Sequence, residues 1–311
     1  MIRSLALLGA AASLACVPAF SGGDVETTPD GCRVTWDGNP VLSYHSSPDL
    51  PKPFVHPLYT PAGHEVTLAS PPDHIHHRGL MFAWGSIAPA GSPEGYHLTF
   101  WGEEGDPSTL GRIVPAPNVP LRAEVADGVV RLVAHNEWRR NSDDLLVLRE
   151  RQEIVVYGPY KGRGMVLSWI TEQTPPMDIE IGPTPGRDVS YYGLGLRTPH
   201  DMDRGQTIDA NGRVGIDQCY GDNADWCAYG SDVAPARGFA MFDHPSNPRH
   251  PTGWFVMNDF GYMTASLPAR EPFMLRAGET LRLEYGVLAF DGGLDRRLIK
   301  DAYDWWLLLT K

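Results

Sequence analysis

Three histidines fall within four positions in the run Asp73-His74-Ile75-His76-His77-Arg78-Gly79, in a chain of 311 residues that holds 11 histidines in all. In an extended backbone, His74, His76 and Arg78 point to one side and Asp73, Ile75 and His77 to the other. Two imidazoles so spaced can converge on one atom. Either they hold a divalent metal through neutral ring nitrogens, with a further ligand from elsewhere. Or one of them moves a proton while Arg78 holds a substrate carboxylate or oxyanion. Beside Pro71-Pro72, a purely structural set of turn-capping histidines is the competing reading, and the density of titratable groups weighs against it. Gly79 permits close backbone approach, and Leu80-Met81-Phe82-Ala83-Trp84 continues from it as a core strand.

Two further segments carry side chains suited to a site. In Phe100-Trp101-Gly102-Glu103-Glu104, Trp101 offers a flat apolar face to a sugar ring, and a glutamate offers an acid, a base or a metal ligand. The stretch from Phe242 to Trp254 contains Pro245, Pro248 and Pro251, which stiffen a loop at low entropic cost. It presents Asp243, His244, Asn247, Arg249, His250 and Trp254 as a site wall. The catalytic candidates are therefore His74, His76, His77, Arg78, Glu103 and His244. The substrate-binding candidates are Trp84, Trp101, Arg197, Asn247, His250 and Trp254. Asp222-Asn223-Ala224-Asp225-Trp226 does not match the EF-hand spacing. There is no serine nucleophile elbow, and Gly193-Leu194-Gly195-Leu196-Arg197 is not a nucleotide loop.

The elements that must position these residues read as strands. Arg33–Trp36 and Val41–Tyr44 flank Asp37-Gly38-Asn39, and Leu121–Val125 and Val129–His135 flank Asp127-Gly128; both are hairpin signals. Val130, Leu132 and Ala134 fall on one face, and Val129, Arg131, Val133 and His135 on the other. Leu145–Tyr157, Met165–Thr171, Tyr191–Arg197, Arg237–Phe242, Gly253–Val256, Tyr262–Leu267 and Leu281–Phe290 complete the strand set. One helix is expected from Leu294, with Leu298, Ala302, Trp305 and Leu309 on one face and Asp295 in its first turn. Strands that do not alternate with helices predict a single all-β domain over 22–311. Its architecture would be a large antiparallel β-sandwich, of a mutarotase-like supersandwich kind, closed by one C-terminal helix.

Composition limits the partners. A net charge of −12 without a basic stripe argues against nucleic acid and leaves a small molecule or oligosaccharide as the expected ligand. Residues 1–21 read as an export signal: Arg3, an apolar run from Leu5 to Val17, and Ala19-Phe20-Ser21 before a cut at Gly22. That run is too short to span a membrane. The alternative is a lipid anchor at Cys16. The chain is thus expected in the periplasm, on the outer membrane as a lipoprotein, or secreted. Of the remaining cysteines, Cys219 and Cys227 flank a turn and are the more plausible disulfide pair, with Cys32 left over; three buried free thiols are the other possibility.

Several blocks recur together in a known order. They are Pro53-Phe54-Val55-His56-Pro57-Leu58-Tyr59-Thr60-Pro61-Ala62-Gly63, the segment Asp73–Gly85, Phe100-Trp101-Gly102-Glu103, Tyr192–Arg197, Asp243–Thr252 and Ala277–Leu283. Taken together, they resemble the bacterial exported family labelled "methane oxygenase PmoA", a domain of unknown function distinct from the integral-membrane methane monooxygenase subunit. The resemblance covers about Pro40 to Gly292. Ile75 stands where members of that family often have proline. The resemblance singles out His74, His76, His77, Arg78, Trp101, Glu103, Arg197, His244 and Asn247, and implies a carbohydrate context. Three functions follow as expectations. The first is a carbohydrate-active hydrolase, lyase or epimerase, with His76 or His77 as base, Glu103 or His244 as acid, Arg78 or Arg197 on an anionic group, and Trp84, Trp101 or Trp254 under the ring. The second is a non-catalytic glycan-binding module, and the third a metal-dependent oxygenase or hydrolase.

Overall fold

A computed structural model describes residues 22–311. The export segment at 1–21 and the Cys16 anchor lie outside the described residues. Both hairpins form where Asp-Gly marks them. Asp37 (φ 49°) with Gly38 (φ 78°), and Asp127 (φ 54°) with Gly128 (φ 79°), make two-residue loops between the pairs Trp36–Asn39 and Ala126–Val129. Positive φ at both central positions is the turn whose twist matches that of the flanking strands.

Two large antiparallel sheets face each other. The first runs, in spatial order, through Gly23–Thr28, Gly31–Trp36, Asn39–His45, Phe54–Leu58, Leu80–Ala83, Gly193–Arg197, Tyr262–Ser266 and Gly253–Met257. The second runs through Gln206–Asp209, Trp226–Ser231, Arg237–Asp243, Leu281–Asp291, Gly164–Thr174, Leu146–Tyr160, Val129–Arg140 and Gly111–Pro115, with Arg122–Ala126 also paired to Val129–Arg140. A small sheet of Phe273–Leu275, Ile179–Ile181 and Ile87–Pro89 lies apart from both. The β-sandwich read from the sequence is therefore the fold. The strands missed by that reading are mostly short, or, like Trp226–Ser231, buried along their whole length, so no alternation reveals them.

The facing sides of the sheets hold one apolar core, and Val130, Leu132 and Ala134 point into it as their alternation predicts. A chain of polar groups also threads that core. Trp84 donates to Gln173 at 2.7 Å, Gln173 to Thr171 at 3.1 Å and Thr171 to Glu150 at 2.6 Å. Trp138 and Asn136 donate to the other oxygen of Glu150. Both Glu150 oxygens are filled in this way, which makes a buried carboxyl tolerable in a low-dielectric interior, while Asn136 Oδ1 has no partner.

The outer side of the second sheet is covered in two ways. At one end sits the helix Arg296–Leu309, capped by Asp295, whose carboxylate accepts from the backbone N–H of Arg297 and Leu298. Asp295 is thus the cap and not a first-turn residue. The buried face is Leu298, Ile299, Ala302, Tyr303 and Trp306, while Leu309 is exposed and Trp305 only partly covered. The helix is rotated from the expected face because Trp306 donates its indole N–H to Ser168 of the sheet at 2.8 Å. Elsewhere the surface carries ion pairs: Arg131 to Glu153 across neighbouring strands, and Arg151 to Glu153 and Arg282 to Glu284 along single strands. Among the described residues no helix is long and apolar enough to cross a membrane. The three described cysteines are buried free thiols; Cys219 and Cys227, the expected pair, are in thiol–thiol hydrogen-bond contact but not joined.

Candidate active site

The histidine run is not extended. Ala69 and Arg78 pair as an isolated bridge, and the residues between them make two consecutive turns. His74 N–H donates to Pro71 O at 3.0 Å and His77 N–H to His74 O at 2.9 Å. Pro72-Asp73 and Ile75-His76 occupy the central positions of these turns, where proline's fixed φ is favoured at the first. The expected alternation, with His77 on the far side from His74 and His76, is therefore corrected. The turns gather all three rings on one side and leave Ile75 exposed.

The loop is pinned at its base. Leu68 N–H donates to Arg197 O at 2.8 Å, Arg197 N–H to Gly79 O at 3.0 Å and Gly79 N–H to Leu68 O at 3.0 Å. Gly79 has φ +75°, and a Cβ there would stand 2.5 Å from the carbonyl oxygen of Val55. Only glycine fits such a position.

A buried ion cluster supports the loop from below. Lys52, wholly buried, reaches Glu103 Oε1 at 3.0 Å and donates to the carbonyls of Trp101 at 2.6 Å and His76 at 3.3 Å. Arg78 Nε donates to Glu103 Oε1 at 3.0 Å, and its Nη2 to Oε2. Burial opposes ionisation of Glu103, but the hydrogen bond from Arg78 and the charge of Lys52 override it and hold the carboxyl below its usual range. Burial pushes Lys52 down to about 8. Glu103 and Arg78 are thus committed to each other and to Lys52. An ionised carboxylate gripped by two cations is poorly placed to donate a proton, and the guanidinium is already occupied. Lys52 was not among the sequence candidates. Its place between Pro51 and Pro53, at the start of a core strand, was the available signal.

Above this base the rings pack closely. His77 lies between His74 and Tyr262, 4.6 Å from each and nearly parallel to both. His76 stands edge-on to His77 at 4.7 Å, and Trp101 closes the floor against His76, His77, Tyr191 and Tyr192. Burial, followed by the neighbouring positive groups, lowers His77 to about 2 and His76 to about 4, so both are neutral near pH 7. His77 Nδ1 is buried and has no hydrogen-bond partner. His74 differs: its Nδ1–H donates to Asp73 Oδ2 at 2.9 Å, which leaves Nε2 with a free lone pair. Arg197 Nη2 lies 3.1 Å from the same Asp73 oxygen. Partial burial works against ionisation of Asp73, but the hydrogen bond from His74 and the charge of Arg197 hold it down at about 2.

These rings open on a cavity of about 310 Å³ lined by His74, His76, His77, Arg187, Tyr191, Tyr220, Phe255, Met257, Phe260 and Tyr262. The volume is within the range of small-molecule sites. Most of its wall comes from residues 187–262, which carry no local motif. The lining aromatics read as ordinary strand and core residues in sequence.

The remaining candidates lie elsewhere. Trp84 and Trp254 are wholly buried with their indole N–H groups bonded to Gln173 and Ala224; neither has a face free for a sugar. Trp101 is 3% exposed and forms the floor of the site, not an open platform. Arg197 is also wholly buried, under the ring of Phe260 at 4.6 Å, so it anchors Asp73 and does not reach the cavity. Asn247 is buried in a structural role, donating to Asp243 and Glu284 O and accepting from Glu284 N–H. His250 donates to Asp243 at 2.7 Å, and this hydrogen bond raises its pKa. His244 packs edge-on against Trp306 of the helix at 5.4 Å and bonds Ser246. His244 and His250 make no contact with the histidine turns, because their loop leaves the second sheet beside the helix.

His74 and His77 stack in parallel, so their in-plane lone pairs run alongside each other, and Asp73 takes His74 Nδ1. His74 and His76, the pair expected as metal ligands, stand edge-on with ring centres 5.7 Å apart. Among the described residues no three His, Cys, Asp or Glu side chains gather into a metal-holding group.

Comparison with known proteins adds a family. No curated protein matches the chain. Solved structures that match the chain include heparan sulfate lyase HepC from Pedobacter heparinus, at 7% identity and TM-score 0.36 over 85% of this chain and 34% of that one. The polysaccharide lyase BACCELL_00875 has 10% identity and TM-score 0.34 over 88% of this chain and 33% of that one. A putative kojibiose phosphorylase from human microbiome has 10% identity and TM-score 0.34 over 92% and 36%. The chain spans about a third of the length of each. The model of the family of unknown function DUF6807 matches residues 31–304, and the chain belongs to that family.

Proposed function

We propose that the chain is a carbohydrate-active enzyme in which His74, oriented by Asp73, moves a proton on a sugar held in the aromatic cavity. The observation that carries this reading is the Asp73–His74 hydrogen bond at the wall of the cavity. A carboxylate on Nδ1 selects one tautomer, presents Nε2 as a base and stabilises the imidazolium that forms when Nε2 takes a proton. Arg197 holds Asp73 ionised for that task. His76, neutral near pH 7, and Tyr191 line the same cavity as partners for a second proton transfer. Phe255, Phe260 and Tyr262 supply the apolar surface on which sugar rings pack. The exported-family resemblance, with its carbohydrate context, points the same way. Elimination and epimerisation both begin with removal of a proton by such a base, and hydrolysis uses it on water.

Turnover of an oligosaccharide panel tests the reading. The His74→Ala variant should lose on the order of 10²- to 10⁴-fold in kcat/KM while still binding glycan. Glycan binding without turnover by the wild-type protein on any panel member would make the cavity a binding module and overturn the enzymatic reading.

A further inference from the structure

Arg187 is the one charged side chain lining the cavity, and it sits exposed at its wall. Its guanidinium has no ion-pair or side-chain hydrogen-bond partner among the described residues. Most arginines around it are committed. Arg78 holds Glu103, Arg197 faces Asp73, Arg249 donates to the carbonyls of Glu271 and Pro272, and Arg270 donates to Gly221 O at 2.6 Å. The adjacent acid, Asp188, is also occupied, since it accepts from the Tyr220 hydroxyl at 3.0 Å. At the Tyr220 hydroxyl, burial and the Asp188 carboxylate raise the pKa, and the charges of Arg187 and Arg270 offset them only in part. In a chain of net charge −12, a guanidinium without an ion-pair partner at the wall of an aromatic cavity stands out.

We propose that the cavity selects a sugar bearing a carboxylate, and that Arg187 is the residue that recognises it. The proposal rests on the reading of the cavity as a sugar site. The chemistry fits: a planar guanidinium meets a carboxylate through two parallel N–H donors. Partial enclosure by Tyr191, Tyr220 and Phe255 screens the pair less than open water would. A carboxylate on the ring also acidifies the neighbouring C–H, and His74 Nε2 is the base that can remove that proton. With that proton taken by Nε2, the electron pair moves toward the carboxylate, and the Arg187 charge stabilises the resulting oxyanion.

Titration calorimetry with oligomers of glucuronate and galacturonate, against the matching neutral glucose and galactose oligomers, tests the proposal. Wild type should prefer the uronates, and the preference should shrink as salt is raised. Arg187→Ala should weaken uronate binding about 10- to 100-fold and leave neutral oligomers unchanged, with Arg187→Lys falling between. Arg187 is exposed, so circular dichroism and melting temperature should match wild type. Equal affinity for uronate and neutral oligomers, unaffected by Arg187→Ala, would overturn the carboxylate proposal and leave the sugar site standing. Failure of both kinds of oligomer to bind would overturn the sugar site and the proposal with it.

Discussion

At the scale of single residues, the site is decided by what each polar atom has left to offer. Asp73 has one oxygen shared between His74 and Arg197, and His74 consequently has one free nitrogen. Asp73→Asn keeps the shape but removes the charge that stabilises imidazolium. It should lower kcat by on the order of 100-fold or more with little change in KM, as expected for an interaction made only in the transition state; steady-state kinetics on a turned-over oligosaccharide check this. The same accounting reassigns Glu103. In sequence it looked like an acid, and in the fold both its oxygens are filled by Arg78 and Lys52. That histidines mark a site could be read from Asp73 to Arg78. Which histidine a carboxylate orients could not, because that depends on how the turns set Asp73 against His74 and on Arg197 reaching Asp73 from a distant strand.

At the scale of elements, the cavity is the meeting point of one turn-rich loop, one buried ion cluster and the strand Tyr262–Ser266. Removing one member of a buried ion cluster leaves the others uncompensated. Glu103→Ala should therefore destabilise the fold by about 3–5 kcal/mol in urea unfolding, with Lys52 and Arg78 left facing each other. A value near zero would show that the cluster does not hold the histidine loop. The C-terminal helix is attached through Trp306, wholly buried against Phe242 and bonded to Ser168. Trp306→Ala should cost about 3–5 kcal/mol without altering ligand affinity, since the helix touches none of the cavity wall; unfolding and binding measured on one variant separate the two effects. Both turn positions of the histidine loop had a sequence signal. Pro72-Asp73 is a turn pair, and a proline in place of Ile75 suits the first central position of the second turn. The period-2 reading of the run overlooked them.

At the scale of the whole molecule, the site imposes a pH dependence on stability. His76 and His77 are held at about 4 and about 2 by burial, against an unfolded value of about 6.5. The unfolded chain thus binds protons first as pH falls. The stability these neutral rings contribute is fully present above about pH 6.5 and is lost progressively as the pH falls from there, towards about 4 for His76 and about 2 for His77. Melting temperature should decline over that window, and the decline should be smaller in His76→Gln and His77→Gln. An unchanged slope in both variants would show that other groups dominate acid unfolding. The two sheets are joined by the apolar core and the buried polar chain from Trp84 to Glu150. Trp84 is therefore part of the structural framework.

Sequence alone determined the class of the molecule. The Asp-Gly hairpins, the alternation along Val129–His135 and the single late amphipathic run are local properties, set by φ preferences and by which face meets water. They specify an antiparallel sandwich with a C-terminal helix wherever the chain folds. The histidine density is local too, and it named the loop. Tertiary structure decided everything that depends on non-local neighbours. It turned the histidine run twice instead of extending it, buried Trp84, Trp254 and Arg197, and sent His244 and His250 to the helix side. It also brought Lys52, Arg187, Tyr191, Phe260 and Tyr262 to the three rings. The physical reason is that a side chain's chemistry is set by its burial and its partners, and across a two-sheet sandwich those partners come from strands distant in sequence.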